Sequence, residues 1–218
     1  MKRIFLSLTI LLSAAVSFGQ NVVYGDNVEK RSVSSFHAIE SNSGIEVILS
    51  KGDKEELAVS VGNQEYLNEI RTVVEGGVLK ISRSTDWKFW NHWKNFRCKV
   101  YVSYKNIDGV KATSGSSIKA DDINGGSLRA RMNSGGTITL SGKVESIDID
   151  GSSGGQFRGY SLSANNCTAE VSSGAGIQVT VNKEISAKAN SGGYVRFKGE
   201  GLIRDINVNS GGSVKRQS

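Results

Sequence analysis

The sequence has 218 residues, with 26 glycines, no proline and a formal net charge of +6 at pH 7. Lysine and arginine are spread along the chain without a run of about five like charges, which argues against a nucleic-acid-binding protein. Many glycines without proline are typical of short strands joined by tight turns, in one long domain or two short ones.

The chain begins with a pattern typical of a secretory signal peptide. Two basic residues precede an apolar run from Ile4 to Val16, and small residues follow, which predicts cleavage between Gly19 and Gln20. The run is shorter than the roughly 20 residues of a membrane-spanning helix, and no later segment is as apolar. We therefore expect residues 1–19 to be removed and the protein to be exported to the periplasm, the cell surface or the medium. The lack of a cysteine near the cleavage point predicts that no lipid anchor is attached there.

Residues 20–32 are predicted to form a tail, and residues 33–110 an irregular β region that starts a repeat structure and covers its open end. Alternating apolar residues indicate several short strands in this region, and the segment from Gln64 to Ile70 has the pattern of a short helix. We treat this region and the repeats that follow as one continuous domain.

An aromatic loop, residues 85–97, interrupts this region and contains all three tryptophans of the chain. Its candidate ligand-binding residues are Trp87, Phe89, Trp90, His92, Trp93 and Phe96. Aromatic faces flanked by polar side chains suit stacking on sugar rings. The alternative interpretation, a cap on the repeat structure or a contact between subunits, is the more ordinary one, because repeat arrays need covered ends.

From residue 111 to 218 a Ser-Gly pair recurs at a nearly fixed interval. The glycines of these pairs are Gly115, Gly135, Gly154, Gly174, Gly192 and Gly211, and their spacings are 20, 19, 20, 18 and 19 residues. A bulky apolar residue follows each glycine at the same offset, and alternating strands precede each pair. This period predicts an all-β fold, a right-handed parallel β-helix with coils of about 18–20 residues.

Each coil is expected to place its apolar residues in stacked columns. The column after the glycines comprises Ile118, Ile138, Phe157, Ile177, Val195 and Val214, and Val47 has the same offset from an earlier Ser-Gly pair. A third apolar point per coil, at Val144, Leu162 and Leu202, predicts a third short side. Glycine suits the positive φ that each corner requires.

Carboxylates on the outer face allow two interpretations. Asp148, Asp150 and Glu170 point outward by alternation, and paired acids on such a face perform acid–base chemistry in polysaccharide-degrading β-helices. The repeat register also places Arg129, Arg131 and Lys188 beside them, which predicts a ladder of ion pairs. We favour the ladder, because structural ion pairs commonly account for such clusters.

The remaining reactive residues indicate neither a metal site nor a cofactor. His37 and His92 lie far apart without ligand-spaced partners, and no phosphate-binding or nucleophile motif is present. Cys98 and Cys167 alternate in phase with apolar neighbours, which predicts buried free thiols; a single disulfide between them stays open, because an exported protein permits one.

Two segments resemble the opening of the auto-transporter adhesin, head GIN domain family of exported bacterial proteins. They are the run from Phe36 to Leu49 and the strand from Val78 to Ile81, followed by the Ser-Gly coils. The resemblance covers roughly residues 33 to 214. It implies a right-handed parallel β-helix and an adhesin-like role, and it supplies no catalytic residues. Many relatives are lipoproteins, whereas this chain lacks the lipid-bearing cysteine.

The sequence therefore predicts a non-catalytic exported module, adhesin-like or structural, that presents a rigid β-helix surface to a glycan, a cell-envelope component or a protein partner. Self-association into a homo-oligomer is compatible with this function, whereas nucleic-acid binding and a membrane span are not expected. The alternative function is a polysaccharide hydrolase or lyase that uses the acids of the outer face.

Overall fold

The alternation of apolar and polar residues becomes a stack of strands in the computed structural model, which describes residues 16–18, 21–23, 27–84 and 96–218. A 3-10 helix, Gln64–Glu69, occupies the predicted helical segment. The strands are β1 (Val16–Phe18), β2 (Asn21–Val23), β3 (Val28–Arg31), β4 (Ala38–Ser41), β5 (Glu46–Lys51), β6 (Glu56–Val61), β7 (Ile70–Glu75), β8 (Val78–Arg83), β9 (Cys98–Tyr104), β10 (Gly109–Ala112), β11 (Ser117–Met132), β12 (Thr137–Gly151), β13 (Gln156–Val171), β14 (Gly176–Ala189), β15 (Tyr194–Lys198), β16 (Leu202–Val208) and β17 (Ser213–Arg216).

The amino-terminal end of the chain contributes one described strand pair. Strand β1 pairs antiparallel with β2, so that Phe18 lies opposite Asn21. The rest of the predicted signal peptide and its predicted cleavage point lie outside the described residues.

The repeat region folds as a parallel stack in which each coil pairs with the next. Strands β11, β12, β13 and β14 follow one another in order, and β14 continues the stack into both β15 and β16. Ser117 pairs with Thr137 and Thr137 with Gln156, an advance of about one repeat per coil. The predicted β-solenoid with coils of 18–20 residues is therefore confirmed.

The predicted inward column is also confirmed by the register. Ile118 pairs with Ile138 and Val47, and the column continues through Phe157, Ile177 and Val195 to Val214. Ile138 and Ile177 are fully buried, whereas Val214 at the end of the stack is only partly buried. Because period-two alternation places the intervening residues outside, the same strands supply both the core and the outer faces.

At the predicted third short side, residues 142–144 pair in parallel with residues 162–164, and Val144 and Leu162 are buried, but the three apolar residues do not stack on one another. Leu162 lies beside Gly142, and Val144 lies beside Ala164. Leu202 pairs with Glu184 and is 71% exposed. Bulges shift the pairing at this corner, for example between Thr139 and Gly142 in β12. A bulge adds a residue to only one strand of a pair. The fixed repeat spacing therefore does not give the paired residues at this corner, although it does in the rest of the coil.

The Ser-Gly corners form tight turns in which both residues have positive φ. In one corner Ser134 has φ 47° and Gly135 φ 73°, and the amide of Gly136 donates to the carbonyl of Asn133 at 2.8 Å. Positive φ at both central positions is the signature of a type I′ turn. The corners also bond to one another: Gly135 N–H donates to the carbonyl of Ser153 in the next coil, at 3.1 Å.

The parallel stack extends back into the amino-terminal region and ends there under antiparallel strands. Strands β4 and β5 pair with β10 and β11, and β8 and β9 pair in turn with β4 and β5. Strand β7 then covers β8 and β6 covers β9, both antiparallel. At the opposite end, β16 exposes Leu202, Ile203, Ile206 and Val208.

Candidate functional site

The predicted aromatic loop lies mostly outside the described residues. This holds for Trp87, Phe89, Trp90, His92 and Trp93. Phe96 is described, and its partly buried side chain packs against the hydrophobic core. The role of the tryptophans in ligand binding therefore stays a prediction.

The two ends of the aromatic loop meet in a cluster at its base. Arg83 ends β8, and its guanidinium forms a salt bridge with Glu69 at 2.6 Å, with both side chains less than 10% exposed, at 7% and 4%. The same guanidinium lies 4.4 Å from the ring centroid of Phe96 and 5.9 Å from that of Tyr66. Breaking a buried ion pair leaves an uncompensated charge, which costs several kcal/mol. The cluster therefore fixes both stems of the loop.

The strands that flank the aromatic loop occupy the position of an ordinary coil. Strand β8 pairs with β4, and β9 pairs with β5. The connection between β4 and β5 is a Ser-Gly corner at Ser43 and Gly44. The connection between β8 and β9, from Arg83 to Cys98, is thus longer than the connection between β4 and β5, from Ser41 to Glu46.

The carboxylates singled out as possible catalytic acids lie in the predicted charge ladder. Arg129 pairs in register with Asp148 and Arg131 with Asp150, while Glu170 pairs with Lys188. The Lys188 ammonium lies 2.8 Å from the Glu170 carboxylate, and the Arg129 guanidinium 3.6 Å from Asp148. We call the outward side chains of the strand segments that precede the Ser-Gly corners the ladder face.

A groove of about 910 Å³ runs along the coils beside the ladder face. Hydroxyl and amide groups line it, including Ser127, Ser146, Asn166 and Thr168. Each of its acids has a basic partner: the ammonium or guanidinium groups of Lys111, Arg129 and Arg204 pair with Glu40, Asp148 and Glu184, and the His37 imidazole pairs with Asp108. The guanidinium of Arg204, which donates a hydrogen bond to the Glu184 carboxylate, lowers the pKa of that acid.

One histidine lies at the edge of this groove. The His37 Nδ1 atom is 2.8 Å from the Asp108 carboxylate, and this hydrogen bond raises the pKa of the imidazole above its usual value. His92 lies outside the described residues. Within residues 27–84 and 96–218, no group of three or more His, Cys, Asp or Glu side chains is placed to hold a metal ion.

The two cysteines are buried free thiols, as the alternation predicted. Cys98 lies in β9 and Cys167 in β13. Burial raises the pKa of both thiols to about 12. They therefore remain protonated and unreactive at neutral pH, because the thiolate is the nucleophile.

A family model described as "Putative auto-transporter adhesin, head GIN domain" matches residues 35–201. The chain belongs to this family. The match covers strands β4 to β15 and the segment that bears the aromatic loop, and it ends before β16. An adhesin family fits a protein without catalytic activity. It also fits an exported protein, and among the described residues no helix is long and apolar enough to cross a membrane.

Solved structures share the fold at low sequence identity. A putative adhesin from Bacteroides fragilis has a TM-score of 0.69 and 16% identity, over 87% of this chain and 96% of that chain. A putative lipid binding protein from Parabacteroides distasonis has a TM-score of 0.51 and 19% identity, over 88% and 98%. A putative adhesin from Parabacteroides merdae has a TM-score of 0.50 and 15% identity, over 90% and 99%. No curated protein matches the chain.

One surface was missed by the sequence analysis. It is an exposed set of cations on the strands after the Ser-Gly corners, including Arg158, Arg196 and Lys215. The sequence contained this information, since the repeat spacing that predicts the ion pairs of the ladder also places Arg196 beside Lys215. The groove is lined in part by ladder residues, such as Arg129 and Asp148, whose pairing the repeat spacing did predict.

Proposed function

We propose that this protein is an exported, non-catalytic adhesin-like module that binds a glycan, a cell-envelope component or a protein through its aromatic loop. The observation that carries the proposal is the cluster of Glu69, Arg83 and Phe96 at the base of the loop. A buried ion pair and a stacked ring hold both stems on a rigid coil. Such anchoring favours presentation of the intervening aromatic side chains, since fixed binding groups lose less entropy when a ligand binds.

A hydrolase or lyase is less well supported by the outer face. A general acid or base needs a pKa matched to its task and access to the reacting proton. Asp148 and Glu170 are instead salt-bridged to Arg129 and Lys188. If an Asp150→Asn protein lost a polysaccharide-degrading activity while keeping its melting temperature, the enzyme would replace the adhesin as the preferred function.

Glycan-array binding of the mature protein tests the proposed function. The variant replaces Trp87, Trp90 and Trp93 with alanine, and we expect its binding to vanish while its circular dichroism and melting temperature persist. Truncating the large aromatic anchors of an interface commonly removes most of its affinity. The matched control replaces Leu202, Ile203 and Ile206 with alanine, because these apolar side chains are exposed at the opposite end.

Three results would contradict binding through the loop. Array binding that survives the tryptophan replacements would remove the loop from the ligand site. A loss of stability without a loss of binding would make the loop a cap. A change in oligomer size in the tryptophan variant, measured by light scattering, would make it a contact between copies of the chain.

A further inference from the structure

A second outer surface, which we call the basic face, is formed by outward side chains of five strand segments. These segments are residues 137–140, 156–160, 176–181, 194–198 and 213–216. These segments follow the Ser-Gly corners in successive coils and pair in register. They contain no aspartate or glutamate. Their exposed cations are Arg158, Arg196, Lys198 and Lys215, with Arg216 at the edge.

The cations of the basic face lack the carboxylate partners found on the ladder face. Among the described residues, no salt bridge joins an acid to Arg158, Arg196, Lys198 or Lys215. Arg196 lies directly beside Lys215, and Gln178 separates it from Arg158. Strands of neighbouring coils are about 4.8 Å apart, and like charges placed directly opposite one another destabilise a sheet. The face therefore retains a repulsion that an anionic ligand would relieve.

Two tyrosines hold these cations in place. The Arg196 guanidinium lies 5.0 Å from the ring centroid of Tyr194, and the Lys198 ammonium 5.3 Å from that of Tyr160. Such cation–π contacts orient the charges without neutralising them.

The Tyr194 ring is itself fixed. Its hydroxyl donates a hydrogen bond to the Gln156 side chain at 2.8 Å. The ring passes over Gly176, where a Cβ atom would lie 2.3 Å from the tyrosine Cζ. A glycine is thus required for the ring to bridge two coils, and the ring's position is set before any ligand arrives.

We propose that the basic face binds an acidic polysaccharide, with its carboxylate or sulfate groups along the column from Arg158 to Lys215. A column of cations interrupted only by Gln178 suits an extended polyanion that lies along the solenoid axis. Gln178 would hydrogen-bond hydroxyl groups of the polymer, and the Thr180 hydroxyl would accept from them, because it already donates to the Tyr160 carbonyl. The outward residues of this face are polar, charged or tyrosine, so no aliphatic side chain is available to enter a lipid surface. The inference rests on the proposed function, because export brings the chain to glycans, not to nucleic acid.

Binding of dextran sulfate, with uncharged dextran as the comparison polymer, tests the inference by biolayer interferometry at two salt concentrations. The variant Arg158→Gln, Arg196→Gln, Lys215→Gln should bind dextran sulfate about tenfold more weakly or worse. The matched control Lys111→Gln, Arg131→Gln, Lys188→Gln removes the same charge from the ladder face and should keep the parental affinity. Added salt should weaken the parental binding, since exposed charges are screened.

Several results would overturn the inference. Equal losses in the two triple variants would show that net charge, not the basic face, controls binding. Tighter binding to single-stranded DNA or to phosphatidylglycerol vesicles than to dextran sulfate would assign the face to another class of partner. Equal binding of dextran and dextran sulfate would remove the charge requirement.

The aromatic loop gives an independent outcome. The Trp87, Trp90 and Trp93 replacements should leave dextran sulfate binding intact. If they abolish array binding while the basic-face variant leaves dextran sulfate binding unchanged, the proposed function stands and the acidic-polysaccharide site fails. If dextran sulfate binding requires the basic face but the tryptophan replacements leave array binding unchanged, the loop fails as the binding element and the basic face remains.

Discussion

The ladder face and the basic face lie on the same coils but differ in how their charged side chains are paired. On the ladder face, Lys111 lies between Glu40 and Arg131, and Glu170 between Asp150 and Lys188. Each charge has at least one neighbour of opposite sign. On the basic face, Arg196 has Gln178 on one side and Lys215 on the other.

The difference shows what in-register stacking does to a surface. In a parallel β-solenoid every outward residue meets its equivalents from neighbouring coils at about 4.8 Å, so one choice of residue type is repeated along a column. Opposite charges then stabilise the stack modestly, whereas like charges store repulsion. A column that keeps its repulsion lowers stability without a structural gain, which is why, of these two faces, the basic face is the stronger candidate for ligand binding.

The largest predicted effect on stability comes from placing a charge on the core side of a strand instead of on its outer side. Ile138 is fully buried in the inward column, and its neighbour Thr139 lies on the basic face. An Ile138→Asp replacement should destabilise the protein by more than about 4 kcal/mol, because it buries an unpaired carboxylate. We expect aggregation or failure to fold, measured as soluble yield and by urea unfolding.

Thr139→Asp is the matched control, since it places the same carboxylate one residue away on the surface. It should fold normally and bind dextran sulfate more weakly, because the new charge lies beside Arg158 in the register. A soluble Ile138→Asp protein with a normal melting temperature would mean that this column does not face the core.

The sequence predicted the parts of the fold that depend on period. The Ser-Gly spacing located the corners, the column from Ile118 to Val214 and the partners of Asp148 and Glu170, because in each coil the same number of residues separates the corner from these positions. The third side was predicted, but the pairing of its residues was not. Bulges there change the number of residues between corners, so the repeat spacing does not give the register.

The candidate site was predicted less completely than the fold. The aromatic loop was recognisable because apolar residues in a loop need an explanation. The cluster below it was not, since Glu69 at the end of the 3-10 helix and Arg83 at the end of β8 are brought together by the antiparallel pairing of β7 with β8, at no repeat spacing. The basic face is a third case, because the repeat spacing that predicts the ladder also places Arg196 beside Lys215.

Removing one charge from each face should change the melting temperature by a smaller amount, and differently for the two faces. Lys188→Gln removes the salt-bridge partner of Glu170. In the parent protein, the hydrogen bond that Lys188 donates to the Glu170 carboxylate raises the pKa of the Lys188 ammonium. It should lower the melting temperature slightly, and the difference should shrink in high salt. Arg196→Gln removes a repulsion with Lys215 and should leave the melting temperature unchanged or raise it, while weakening dextran sulfate binding. If both variants lower the melting temperature equally, the contrast between the faces is lost.

The smallest predicted effect is the pH dependence of the pair at the edge of the groove beside the ladder face. The hydrogen bond that His37 donates to the Asp108 carboxylate raises the folded-state pKa of His37 above its ordinary value, so the folded state binds the proton more tightly than the unfolded state. The stabilisation is then fully present below the unfolded pKa and is lost as pH rises through the folded pKa. The melting temperature of the parent should exceed that of a His37→Gln variant at acidic pH, and the difference should vanish on the alkaline side. Asp108→Asn should abolish the same pH dependence, because it removes the carboxylate charge that stabilises the protonated imidazole. A melting-temperature difference between the parent and the His37→Gln variant that stays constant from acidic to alkaline pH would show that the pair does not titrate as a unit.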